Sequence, residues 1–94
     1  MDLSVTLAKK ATVEDLNAAF KQASEGAMKG ILGYTEDPIV SVDFNHCLLS
    51  SIVDAKCTKV IQDDFVKVLS WYDNEWGYSN RVVDLCEYIF KKGL

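Results

Sequence analysis

Ninety-four residues, 49% of them hydrophobic and 26% charged, suffice for one small domain and leave no room for a second. At this length a chain buries only about 60–65% of its unfolded surface, and the apolar share excludes a disordered tail. Ten basic against fourteen acidic side chains give a net charge of −4, which argues against nucleic acid or an anionic membrane as partner. Apolar stretches run only three or four residues, too short for a bilayer span. Met1-Asp2-Leu3-Ser4 opens no basic-then-apolar leader, so the expectation is a soluble, cytoplasmic chain.

Leu3, Val5 and Leu7 alternate with polar residues, the period-two pattern of a half-buried strand. Thr12 stands three residues before Asp15, the spacing of a capping box. Val13, Leu16, Ala19, Phe20 and Ala23 then recur at helical steps, predicting an amphipathic helix that stops at Gly26. Met28, Ile31 and Leu32 are expected beside its apolar face, followed by a short strand near Leu32–Tyr34. Thr35-Glu36-Asp37-Pro38 reads as a turn. Ile39 to Leu49 has no sustained period and is read as irregular, with at most one helical turn.

Ser51–Asp54, Cys57–Ile61 and Phe65–Tyr72 carry β-branched and aromatic residues, and Gln62-Asp63-Asp64 joins the last two as a hairpin. Phe65–Tyr72 is apolar on both faces and therefore predicted central. Asp73-Asn74-Glu75 breaks the strand. A second helix follows with a broad stripe of Val82, Val83, Leu85, Cys86, Ile89 and Phe90, closed by Lys91-Lys92 and Gly93. This order predicts an α+β fold, a largely antiparallel sheet with helices packed on one face.

Cys47, Cys57 and Cys86 form no C-x-x-C pair, so zinc and dithiol chemistry have no basis and free thiols are expected. His46-Cys47 invites a nucleophile–base reading. Neighbouring side chains rarely face each other, however, and no third orienting group follows, so a loop thiol is the expectation.

Ser70-Trp71-Tyr72-Asp73-Asn74-Glu75-Trp76-Gly77-Tyr78-Ser79-Asn80-Arg81-Val82-Val83-Asp84-Leu85 resembles the C-terminal signature of the glyceraldehyde-3-phosphate dehydrogenase family. Gln22–Gly26, Lys29–Glu36 and Ser51–Ala55 resemble the same family in the same order. Erythrose-4-phosphate dehydrogenase, a close relative, shares much of this region. The resemblance implies residues 1–74 as part of the dehydrogenase catalytic domain and 75–94 as a terminal helix that docks on an NAD-binding domain. It also implies NAD or NADP as cofactor and a homotetramer as the assembly. The family's glycine-rich dinucleotide turn and its Ser-Cys-Thr-Thr-Asn nucleophile motif do not occur here, nor is His46 in the context of the family's base. The expectation is therefore a piece without catalytic residues, inactive alone.

What the resemblance does place here is the nicotinamide end of the cofactor site. It implies that Asn74 bonds the nicotinamide carboxamide and that Tyr78 stands beside the ring. Read from the residues alone, Asn74 is a helix N-cap and Tyr78 packs at the helix start; the two roles are compatible for Asn74. Trp71 is expected in the core, and Trp76 in the core or at an interface. Two other readings remain: a non-enzymatic interaction module joined through the apolar stripe Val82–Phe90, and a free-standing α+β domain without a site.

Overall fold

A computed structural model of the chain describes residues 1–93. Its elements are β1 (Asp2–Thr6), α1 (Val13–Glu25), β2 (Leu32–Thr35), β3 (Ser51–Asp54), β4 (Lys59–Ile61), β5 (Phe65–Trp71) and α2 (Trp76–Lys91), with one-turn 3-10 segments at Ser41–Phe44 and Ala55–Cys57. The class is α+β, as the sequence implied, and the irregular stretch before β3 holds the single helical turn expected there.

β5 is central. β1 runs antiparallel along one edge, pairing Leu3 with Val68 and Val5 with Val66. Along the other edge β4 pairs Lys59 with Lys67, and β3 then takes over, pairing Ile52 with Trp71. β2 closes the order β1-β5-β3-β2 and lies parallel to β3, with Gly33 opposite Ile52. The sheet is thus mixed: three antiparallel pairs and one parallel pair. Parallel pairing requires a crossover, and residues 36–50 supply it with little regular structure for a periodicity search to detect.

Local chemistry accounts for the boundaries. Thr12 Oγ1 accepts from the Asp15 N–H at 3.1 Å and Asp15 Oδ2 accepts from the Thr12 N–H at 3.0 Å, completing the capping box of α1. The hairpin turn uses no glycine: Gln62 and Asp63 adopt φ of 53° and 66°. That left-handed geometry costs about 1–2 kcal/mol per residue. The turn's carbonyls compensate, since Asp63 O accepts from Ala11 N at 2.9 Å and Asp64 O from Leu7 N at 2.8 Å. Gly93, at φ 75°, ends α2 in the left-handed conformation expected after a helix.

The core is small, comprising Phe44, Ile52, Val53, Ala55, Val66 and Val68. Trp71 joins it partially, stacking on Phe44 at 6.0 Å and donating its indole N–H to buried Asp54 at 3.1 Å. α1 packs along β2 and is tied to the turn after β3 by Asn17, whose amide donates to Ala55 O at 3.1 Å. α2 differs. It is anchored through its first turns and leaves Val83 62% and Phe90 84% exposed. β1, expected to be half-buried, is exposed along its whole length. Its alternation is real: Leu3 and Val5 share a face with buried Val68 and Val66, but at the edge of the sheet they stay 45% and 38% exposed.

Two magnitudes follow from this placement. The radius of gyration is 15.1 Å, against about 12–13 Å for a compact domain of this length. The accessible surface is 6823 Å², against about 5400 Å² for a compact monomer of this mass.

Candidate functional site

The β5–α2 corner carries both residues singled out in the sequence, and its backbone is held by a side chain that the sequence reading did not single out. Asp73 Oδ1 accepts from the N–H groups of Glu75 at 2.9 Å and Trp76 at 2.7 Å. Its other oxygen accepts from the His46 N–H at 2.9 Å. One carboxylate therefore caps α2 and ties it to the loop before β3. The Trp76 N–H, followed by those of His46 and Glu75, holds the Asp73 carboxyl below the usual carboxylate value. An Asp three residues ahead of the first helical position was the available signal, masked by the Asn beside it.

The first turns of α2 are seated by two more residues. Gly77 is buried, and a Cβ there would lie 2.6 Å from the Leu49 carbonyl oxygen. The absence of a side chain lets the helix lie directly on the 49–50 backbone. Arg81 reaches the same segment, donating to Ser50 Oγ at 3.2 Å and Gly30 O at 3.4 Å while its Nε pairs with Asp84 at 2.8 Å.

Asn74 sits between these clamps, exposed, and the capping role open to it belongs to Asp73. Among the described residues no hydrogen bond engages its side-chain amide, so a donor and an acceptor face outward from a fixed backbone. Tyr78, one helical turn on, is 75% exposed and does not pack at the helix start. Trp76 is exposed in part and lies against the His46 ring at 4.6 Å. With that imidazole on Trp76 and Cys47 half-buried, the His46–Cys47 pair is structural. Cys86 is exposed on α2, and among the described residues no group of His, Cys, Asp or Glu is arranged to hold a metal. The corner offers a side-chain amide with a donor and an acceptor on a held backbone; among the described residues it presents no nucleophile paired with a base.

The family described as Glyceraldehyde 3-phosphate dehydrogenase, C-terminal domain, matches residues 1–74. The chain belongs to this family. It is 62% identical over 94 residues to glyceraldehyde-3-phosphate dehydrogenase 1 of Bacillus cereus, covering 100% of this chain and 28% of that protein. The Geobacillus stearothermophilus glyceraldehyde-3-phosphate dehydrogenase is 57% identical with the same coverage. The cytosolic enzyme of Antirrhinum majus is 62% identical over 85 residues, 90% of this chain and 25% of that protein. The chain thus spans little more than a quarter of the length of the glyceraldehyde-3-phosphate dehydrogenases it matches. The resemblance noted from Ser70 to Leu85 is one of family membership.

Proposed function

We propose that this chain serves as the C-terminal part of a phosphorylating aldehyde dehydrogenase that converts glyceraldehyde 3-phosphate, NAD and phosphate to 1,3-bisphosphoglycerate in the cytoplasm. Residues 1–74 belong to its catalytic domain, and the helix of the 75–94 segment, α2 (Trp76–Lys91), docks on the NAD-binding domain. The observation that carries this reading is the free amide of Asn74 on a corner whose backbone Asp73, Gly77 and Arg81 fix. Bound NAD supplies the hydride acceptor. Asn74 pairs its amide with the nicotinamide carboxamide, a two-way donor–acceptor match. That contact sets which ring face meets the substrate, a positioning contribution. Tyr78, exposed one helical turn on, would flank the bound ring and limit its orientation. The nucleophile and the base come from outside this sequence, so the 94 residues alone do not turn over, and the active assembly is a homotetramer.

Two measurements test this. The purified chain, given aldehyde, NAD and phosphate, should form no NADH above a blank. Grafted in place of the matching segment of the Bacillus cereus enzyme, it should support activity, and Asn74→Ala in that hybrid should raise KM for NAD about tenfold. Turnover by the chain alone, or a hybrid indifferent to Asn74→Ala, would refute the proposal.

A second reading is favoured by the uncovered stripe of α2: a non-enzymatic module that associates through Val82, Val83, Leu85, Ile89 and Phe90, all exposed. Light scattering after size exclusion separates the readings. A monomer that binds neither itself nor a full-length subunit counts against the module.

A further inference from the structure

Three of the ten basic residues of this acidic chain meet at one hollow of about 360 Å³. It forms where the strand row beside β5 is interrupted. β3 ends at Asp54, the turn Ala55–Cys57 steps out of the ladder, and pairing resumes at Lys59. Half-buried Leu69 and Cys57 supply its apolar part; exposed Lys56, Lys59 and Lys67, with Asp2, supply its charged part.

The charge there is unbalanced. Lys59 lies directly opposite Lys67 in the antiparallel register, a like-charge pair that disfavours the sheet. Asp2 compensates one of them, with Oδ2 3.0 Å from Lys67 Nζ. Lys56 and Lys59 have no acidic partner among the described residues. The thiol adds no anion, because burial, followed by the neighbouring Asp54 carboxylate, pushes the Cys57 pKa up. Three ammonium groups against the one carboxylate of Asp2, over an apolar surface, match an anion that carries an apolar portion.

We propose that this hollow binds a small organic phosphate monoester, its phosphate between Lys59 and Lys67 and its apolar portion on Leu69 and Cys57. Lysines engage phosphate as point charges, so the site needs no fork geometry. None of these side chains is among those the family resemblance assigns to cofactor or substrate. Asp2 competes with the ligand for Lys67, which gives the site an unusual sign: removing this acid strengthens binding.

Titration of the 94-residue chain with phenyl phosphate and with inorganic phosphate, followed by amide NMR shifts, tests the proposal. Saturable shifts are expected at residues 56–59 and 67–69, with phenyl phosphate about fivefold tighter than phosphate because its ring covers Leu69. Lys59→Gln should weaken phenyl phosphate about threefold to tenfold. Asp2→Asn should tighten it by about twofold or more, while Glu87→Gln, the same charge change on α2, leaves it unaltered. Shifts that never saturate, or that spread equally over Lys9, Lys10 and Lys91, overturn the site. Equal affinity for the two probes, or equal responses to Asp2→Asn and Glu87→Gln, also overturns it.

Discussion

Replacing Gly77 with alanine sets helix propensity against packing, and packing should prevail. The new Cβ would lie 2.6 Å from Leu49 O, 3.2 Å from Leu49 C and 3.3 Å from Ser50 Cα, all backbone atoms. That backbone has no slack: the Ser50 N–H is bonded to Ile31 O at 2.9 Å and β3 begins at the next residue. The helix must therefore lift, which withdraws Arg81 from Ser50 Oγ and Gly30 O. Alanine gains at most about 1 kcal/mol over glycine in a helix, and less in a first turn. Overpacking against an unyielding wall costs about 1–3 kcal/mol. The net expectation is a loss of about 1 kcal/mol. In urea, followed by far-ultraviolet circular dichroism and tryptophan fluorescence, the midpoint should fall by about 1 M. Amides of 78–82 should exchange faster, and the penalty should shrink in an Arg81→Ala background because the severed contact is already gone. A midpoint unchanged or raised would show that α2 does not rest on the 49–50 backbone.

Thr12→Ala removes the acceptor for the Asp15 N–H and should cost about 1 kcal/mol, with Thr12→Ser restoring most of it in the same urea assay. Asp73 has a folded-state pKa below its ordinary value of 3.8, so its stabilising contribution is present above that value and lost as pH falls through the lower folded one. Trp76 fluorescence should accordingly change below about pH 4, and Asp73→Asn should abolish that step; an unaltered acid transition in the variant would count against the cap. Phe90→Asp, at a position 84% exposed, should leave unfolding stability within about 0.5 kcal/mol while suppressing any self-association; a larger loss would place Phe90 in a packed interface within the chain. A disulfide reagent at pH 8 should label exposed Cys86 well before Cys57, whose thiol burial and Asp54 keep protonated, and Lys59→Gln should slow Cys57 further.

Those features of the fold that depend on short-range rules were legible in the sequence. The Thr12–Asp15 box, the Gln62–Asp64 hairpin and the central place of β5 each follow from residues close together, and each is observed; the burial of both β5 faces is not, since Val66, Val68 and Ser70 are buried while Phe65 and Lys67 on the other face are exposed. Features decided by distant partners were not. Alternation in β1 shows that its faces differ, but it does not reveal whether a layer lies over either face. The parallel β2–β3 pair depends on a crossover with almost no period of its own. At the corner, two adjacent residues of equal capping aptitude compete. Asp73 takes the role because its second oxygen also reaches His46, a contact 27 residues away that no local rule contains. The same distance hides Gly77 and Arg81, which act on Leu49, Ser50 and Gly30.

The uncovered stripe of α2 and the exposed β1 add to the chain's surface, and that surface bears on which proposed reading is stronger. The surface exceeds that of a compact chain by about 1400 Å², close to the area that both sides of a standard interface bury together. An amphipathic helix gains most of its stability from burying its apolar face, so a stripe as long as Val82–Phe90 is costly to leave in water. Yet α2 begins with three independent anchors, at Asp73, Gly77 and Arg81, all within its first turns or just before them. A helix fixed so firmly at one end and bare along the rest is already oriented for a partner to dock. Such pre-organisation lowers the ordering cost of docking. It also means that whatever covers the stripe is placed relative to Asn74, because the anchors that aim the helix are the ones that fix the corner. A module serving association alone would not need its sticky helix in register with a free amide, whereas the proposed cofactor site, completed by a docking domain, would.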